Sequence, residues 1–223
     1  MGTFCLTGSA HSCILYLSVR EREKRKGDKT MKYKDLYRAA KREDFLEWLF
    51  NRKKYKIWEL ETMKVYNQNP EHHPEGYSVF DHVIAAVRDY KGSDPIVKLA
   101  ILFHDIGKIA TAEHSPNGNY YHFYGHDKEG EKTFRRIAKK YEFPSDVTEA
   151  IAFAIRHHMR FYKILDMKPN KVKKLVDSPY WKLLVRVAYH DDHCRGIHSS
   201  KKEFKACMKR AMKIKKNKFH ENV

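Results

Sequence analysis

His104 and Asp105 stand side by side at the end of the apolar run Leu99-Ala100-Ile101-Leu102-Phe103, and Ile106-Gly107-Lys108 follows them. An imidazole and a carboxylate delivered together into apolar surroundings cost free energy unless a positive group compensates them. A divalent metal is the natural partner. Further candidate ligands recur along the chain: His82, His126, His157, His158, Asp191 and Asp192. The steps from His82 through His104, His126 and His158 to Asp191 are 22, 22, 32 and 33 residues. Such steps fit one ligand per helix or helix end, each followed by a loop and a return helix. Mixed imidazole and carboxylate donors suit Mn, Fe, Co, Ni, Zn or, less well, Mg, as one ion or two. The two oxygens of Asp105 could bridge a pair of ions. Paired metals clamp a water and a phosphoryl oxygen and lower the pKa of that water.

The elements that must position these side chains read as helices. Glycine (10) and proline (7) are sparse among 223 residues, and 42% of the chain is hydrophobic, so a sizeable, mainly helical core is expected. Apolar residues at helical spacing predict two or three helices between Tyr33 and Tyr66, then helices over 79–90 with His82 and from Pro95 to Ile106 with the His-Asp pair. Asp94 is the expected cap of the second of these, with Pro95 in its first turn. Residues 111–125 read as a loop with a turn at Asn117-Gly118. Helices are expected over 127–141, over 146–161 with His157 and His158, from Pro169 to Val176, and after Ser178-Pro179 with Asp191. The expected organisation is a disordered or non-native leader (1–30), an N-terminal helical extension (31–67), a catalytic domain (68–200) and a basic C-terminal helix or tail (201–223). Lys26-Gly27-Asp28 can be encoded by a ribosome-binding-site-like stretch before Met31, so Met31 is the expected natural start, in a bacterial or phage gene.

The formal net charge is +17, which points to nucleic acid, nucleotides or other phosphate-rich partners rather than to a fold. The last 23 residues carry nine Lys or Arg against two Glu, with Phe204, Met208, Met212 and Ile214 as a weak apolar stripe. Cys5, Cys13, Cys194 and Cys207 have no metal-type or disulfide-type spacing and read as free thiols. No transmembrane span and no signal core are visible, so no membrane partner and a cytoplasmic location are expected.

Val79-Phe80-Asp81-His82-Val83, Leu102-Phe103-His104-Asp105-Ile106-Gly107-Lys108 and Val187-Ala188-Tyr189-His190-Asp191 resemble the H…HD…D pattern of the HD-domain metal-dependent phosphohydrolases. Within that superfamily the text is most similar to the HD domain of bacterial tRNA nucleotidyltransferases. The matching stretches are His72-His73-Pro74-Glu75-Gly76, Tyr124-Gly125-His126-Asp127-Lys128-Glu129-Gly130 and Ile155-Arg156-His157-His158-Met159-Arg160. The resemblance covers roughly residues 68–197. It implies an all-α HD-domain bundle with a metal centre in its core. It also implies that His82, His104, Asp105 and Asp191 hold a first metal and that His126 and His158 complete a second site. His157 and Asp192 are the alternates. No Gly-Ser-rich strand with paired aspartates precedes the domain, so nucleotide polymerisation is not expected.

The tRNA nucleotidyltransferase HD domain is associated with 2′,3′-cyclic phosphodiesterase and phosphatase activity, so a nucleotide or RNA-end phosphate is the expected substrate. A 5′-nucleotidase and a cyclic (oligo)nucleotide phosphodiesterase are the alternatives within the class. An RNA-binding module with a structural metal is the alternative outside it. Lys108 is expected to act beside Asp105 on a substrate phosphate, against the plain role of a helix C-terminal cation. Arg160 is the expected second phosphate contact, and His122 with Tyr124 the surface on which a base would stack. His72 and His73 are expected at an entrance without ligating. His190 and His193 are expected on a solvated or supporting face.

Overall fold

The computed structural model describes residues 31–51, 57–74, 77–195 and 200–216. The expected leader, the Glu75-Gly76 part of the first matching stretch and residues 217–223 lie outside them. Three short helices come first: α1 (Tyr33–Ala40), α2 (Phe45–Asn51) and α3 (Trp58–Thr62), the last tightening into a 3-10 turn at Met63–Val65. Helix α4 (Val79–Asp89) starts in a capping box: the Ser78 hydroxyl accepts from the Asp81 amide and the Asp81 carboxylate accepts from the Ser78 amide. Its buried stripe, Val79, His82, Val83, Ala86 and Val87, has the i, i+3, i+4 spacing of a core-facing helix, and His82 lies on it. Helix α5 (Pro95–Phe103) is capped by Asp94 with Pro95 in its first turn, and only Ile96 and Lys98 escape full burial.

Helix α5 stops three residues before the expected Ile106. The His104 amide bonds Ile101 O, Asp105 leaves the helical region (φ −99°, ψ 12°), and a 3-10 turn runs from Ile106 to Ala110. The cause is a backbone-on-backbone contact. A Cβ on Gly107 would lie 2.0 Å from His126 O and 2.3 Å from Gly130 N. The turn after the His-Asp pair therefore presses against the start of α6 (His126–Lys140), where the third histidine sits. Gly107→Ala is expected to destabilise the protein by about 3 kcal/mol or more, read from the urea midpoint, because rigid backbone must move to admit the methyl group.

The segment read as a loop contains a small antiparallel pair, β1 (Glu113–His114) and β2 (Tyr121–His122), with Glu113 opposite His122 and His114 opposite Tyr121. Gly118, at φ +70°, provides the left-handed residue of the predicted Asn-Gly turn. Two-residue strands have no alternation to read. Asn67 pairs with Ser78 as an isolated bridge, and the Tyr121 amide bonds Asn67 O, so hairpin and entry loop are tied together beside α4.

The rest is helical: α7 (Ser145–Phe161), a 3-10 turn at Tyr162–Leu165, α8 (Pro169–Val176), α9 (Trp181–His193) and α10 (Ser200–Lys216). The main core joins Leu36, Phe45, Leu49, Leu60 and Met63 of the N-terminal helices to α4–α7. A second core, centred on Phe161, Leu175, Trp181 and Leu184, takes in Cys207 and Ala211 of α10. The apolar stripe of α10 is corrected accordingly: Phe204, Met208 and Ile214 pack inward, whereas Met212 is 42% exposed. Among the described residues no disulfide links Cys194 or Cys207 to another cysteine. Among the described residues no helix is long and apolar enough to cross a membrane.

Candidate metal centre

Five elements converge on one buried point. Helix α4 brings His82, the end of α5 brings His104 and Asp105, α6 begins with His126, α7 brings His158 and α9 brings Asp191; all six are buried. Their donor atoms fall into two groups of three: His82, His104 and Asp191, and Asp105, His126 and His158. In the first, His82 Nε2 is 3.2 Å from His104 Nε2 and 3.1 Å from Asp191 Oδ1. In the second, His126 Nε2 and His158 Nε2 are 3.2 Å apart, and Asp105 Oδ1 lies 3.4 and 3.7 Å from them. Asp105 Oδ2 faces the other way, 3.4 Å from His104 Nε2 and 3.6 Å from His82 Nε2. One carboxylate thus presents an oxygen to each histidine pair.

The hydrogen bonds decide what these groups can accept. His104, His126 and His158 each donate Nδ1–H to a carbonyl three residues back (Ile101, Phe123 and Ile155), because a carbonyl oxygen only accepts. Their Nε2 atoms are therefore aimed inward, the arrangement that orients metal-binding imidazoles. Burial lowers the pKa of His126, and burial aided by the neighbouring His126 charge brings His158 down to about 4. Near neutral pH both rings are uncharged, and two lone pairs face each other 3.2 Å apart beside a carboxylate oxygen. A proton shared between the rings or a metal ion satisfies that geometry. Donors about 2.1 Å from a common ion sit roughly 3.0–3.4 Å apart, which matches the closest separations here. The residues present fit a divalent ion in each group.

The first group relieves itself differently. Burial pushes His104 down, but Asp105 and Asp191 overrule it and carry its pKa up to about 10. Burial would raise both carboxyls; Lys108 and His104 hold Asp105, and Arg195 with His104 and His82 holds Asp191, well below the usual carboxylate range. A proton on His104 thus stands where an ion would compensate the two carboxylates.

The remaining predicted residues lie around these two groups. Lys108 is buried, its Nζ 2.6 Å from both Asp105 Oδ2 and Gln68 Oε1. Its approach to Asp105 lacks hydrogen-bond geometry, and that oxygen receives no hydrogen bond. Lys108 is thus an inward cation of the cluster and not a surface charge at a helix end. His157 and Asp192 stay outside both groups. His157 packs edge-on against Phe153, and its Nδ1 lies 3.2 Å from Arg160 Nη1. Arg156 is bound to Asp127. His122 stacks on Tyr124 with centroids 5.6 Å apart, and Tyr124 is 73% exposed. His73 lies edge-on to His82 at 4.9 Å. His190 and His193 both bond Asp89, at 2.6 and 2.9 Å.

Two partners were missed in the sequence, Gln68 and Arg195. Gln68 is buried and holds the Lys108 ammonium while donating to Ser78 O; a lone glutamine in a turn-rich loop does not announce this. Arg195 Nη2 lies 2.6 Å from Asp191 Oδ1, one helical turn on. The i, i+4 spacing at the end of α9 was the available clue for that pair.

A helical bundle holding two His/Asp donor groups that share one carboxylate defines the class. Residues 77–187 match the HD domain, and through this segment the chain belongs to the HD-domain metal-dependent phosphohydrolases, whose members bind divalent metals. More particularly, it is similar to the Multifunctional CCA protein of Legionella pneumophila (strain Paris), at 26% identity over 112 residues, covering 49% of this chain and 26% of that protein. It is 29% identical over 114 residues to the protein of the same name from Halorhodospira halophila, covering 50% of this chain and 26% of the relative. It is 37% identical over 62 residues to the CC-adding tRNA nucleotidyltransferase of Thermus thermophilus, covering 28% and 14%. The chain therefore spans about a quarter or less of the length of these relatives.

Proposed function

We propose that this phosphohydrolase acts on a nucleotide or RNA-end phosphate, with 2′,3′-cyclic phosphodiesterase and phosphatase chemistry. The observation that carries the reading is the shared Asp105: each of its oxygens faces one histidine pair, so two three-donor groups meet at one point. The relative named as a CC-adding tRNA nucleotidyltransferase supports an RNA end over an unrelated phosphate ester.

In this reading His82, His104 and Asp191 would hold one ion and His126 and His158 the other, with Asp105 offering an oxygen toward each. Bound there, divalent ions supply Lewis acidity toward a water and a phosphoryl oxygen. The protein's own work is orientation and charge. The carbonyls of Ile101, Phe123 and Ile155 hold three imidazoles with Nδ1 protonated and Nε2 turned inward. Lys108, held in place by Gln68, sets its ammonium beside Asp105, where charge on a substrate phosphoryl group would develop. Arg160 is the second phosphate contact, and the exposed His122–Tyr124 stack is the platform for a base. Lys108→Met is expected to keep its metal yet lose about 100-fold in kcat, checked by metal content and initial rates.

The test is phosphate release and product identity from metal-depleted protein resupplied with Mn, Ni, Co or Mg. The substrates are 2′,3′-cyclic AMP, 3′,5′-cyclic AMP, the 2′-, 3′- and 5′-monophosphates and a cyclic-phosphate-ended RNA. Metal-dependent turnover of the 2′,3′-cyclic substrates is the expected result. Preference for 5′-monophosphates or for 3′,5′-cyclic AMP would replace the substrate assignment. Folded, metal-loaded protein inert on the whole panel would sink it, and salt-dependent RNA binding in that protein would favour a binding module with a structural metal.

A further inference from the structure

We propose that the outer face of α10, with the adjoining lysines of α8, is a docking ridge for the phosphate backbone of an RNA strand. The inference extends the RNA-end reading to a second contact away from the metal centre, and it can fail while hydrolysis stands.

Lys201, Lys205, Lys209 and Lys213 follow one another at four-residue intervals and are all exposed. At 1.5 Å per residue this row is about 18 Å long. Glu203 is the one carboxylate on the helix. Among the described residues none of these four lysines forms an ion pair with a carboxylate. Like charges four residues apart on a helix repel, so the row weakens the isolated helix and gains nothing from the fold. A polyanion laid along it removes that repulsion. Helix α8 packs against α10 and adds exposed Lys171 and Lys174, with Lys168 just before it.

The opposite face of α10 discriminates between polyanions. A lysine-rich amphipathic helix is also the pattern of a membrane-surface anchor, which needs a free apolar face. Here that face is taken. Phe204 packs on Phe161 at 5.0 Å and on Tyr189 at 5.1 Å, Cys207 and Ala211 are fully buried, and Arg210 binds the carbonyls of Leu165 and Met167. The helix is thereby fixed to the turn after α7, which carries His158, and to α9, which carries Asp191. The side left to meet a partner carries the lysines, with Met212 the one large apolar side chain of the helix that stays exposed. A phosphate backbone matches it, whereas a bilayer would receive Met212 alone in place of an apolar face.

The experiment uses the full, metal-loaded chain and a fluorescein-labelled single-stranded RNA, with affinity measured by anisotropy across a salt series. Lys205→Ala/Lys209→Ala/Lys213→Ala is expected to weaken binding at least about tenfold at low salt and to lower the slope of log K against log salt by about 2. The corresponding triple Lys→Arg variant is expected to restore both, and circular dichroism verifies that α10 remains folded. Turnover of 2′,3′-cyclic AMP, where the parent shows it, is expected to stay unchanged, since none of the three lysines lies in the donor cluster. An unchanged affinity and slope in the alanine variant overturns the proposal. So does loss of binding to phosphatidylserine vesicles while RNA binding is retained. The RNA measurement is read from binding alone, so its result does not depend on whether the parent hydrolyses any member of the substrate panel.

Discussion

Asp105→Asn protein is expected to fold, to lose metal from both donor groups and to hydrolyse its substrate at least about 10²–10³-fold more slowly. Among the described residues Asp105 is the carboxylate that turns one oxygen to each group: Oδ1 lies 3.4 Å from His126 Nε2 and Oδ2 lies 3.4 Å from His104 Nε2. The amide retains one oxygen and removes the negative charge that compensates either ion. Asparagine is the better probe because its amide oxygen can still face the buried Lys108 ammonium and its volume fills the site, whereas alanine removes the dipole as well as the charge and leaves a cavity. Metal content, initial rate and the urea midpoint together separate lost chemistry from lost folding. His158→Ala and His157→Ala form the matched control. The first removes a donor and should behave like Asp105→Asn, whereas the second alters a residue outside both groups and should leave metal content intact. Retention of metal and rate by Asp105→Asn would remove the shared carboxylate from the mechanism.

Stability of the metal-free protein is expected to peak near pH 6–7 and fall on both sides. On the acid side, His158 has a pKa of about 4 in the folded state against 6.5 unfolded. The unfolded chain binds more protons in that window, so stability falls as pH drops from 6.5 to 4, by roughly 3 kcal/mol for this ring alone. Burial of His126 adds in the same direction. Asp105 and Asp191, held below the usual carboxylate range, add stability that is present above pH 3.8 and lost further into acid. On the alkaline side the sign reverses. His104, raised to about 10, contributes stability that is full below pH 6.5 and lost as pH climbs toward 10. An ion in the first group replaces that proton. Adding Mn or Ni should therefore flatten the alkaline limb and release a proton on binding, measurable in unbuffered solution between pH 7 and 9. Urea midpoints over pH 4–10, with and without metal, test both limbs. A metal-free protein that grows more stable from pH 7 to 9 would contradict the charge assignment of the first group.

Helical periodicity and the cap at Asp94 located α4 to α9 within a few residues, because each helix buries a stripe whose spacing is local information. The six donors could be named for a similar reason: imidazoles and carboxylates inside apolar stripes have few other uses. The choice between neighbours needed more. Resemblance favoured His158 over His157 and Asp191 over Asp192, and packing places the favoured member of each pair in the donor groups. Successive residues on a helix point about 100° apart, so only one of two neighbours can face the same core. What the linear text could not contain was long-range. The end of α5 at Phe103 is set by Gly107 closing on the backbone of His126 and Gly130. The position of the Lys108 ammonium is set by Gln68, 40 residues earlier. The exposed side of α10 is set by which apolar residues found Phe161 and Tyr189. The donor set of the centre was thus written into the sequence. Its grouping around one shared carboxylate, and the protonation of its histidines, were decided by packing, because both depend on distances between residues that are neighbours only in the folded chain.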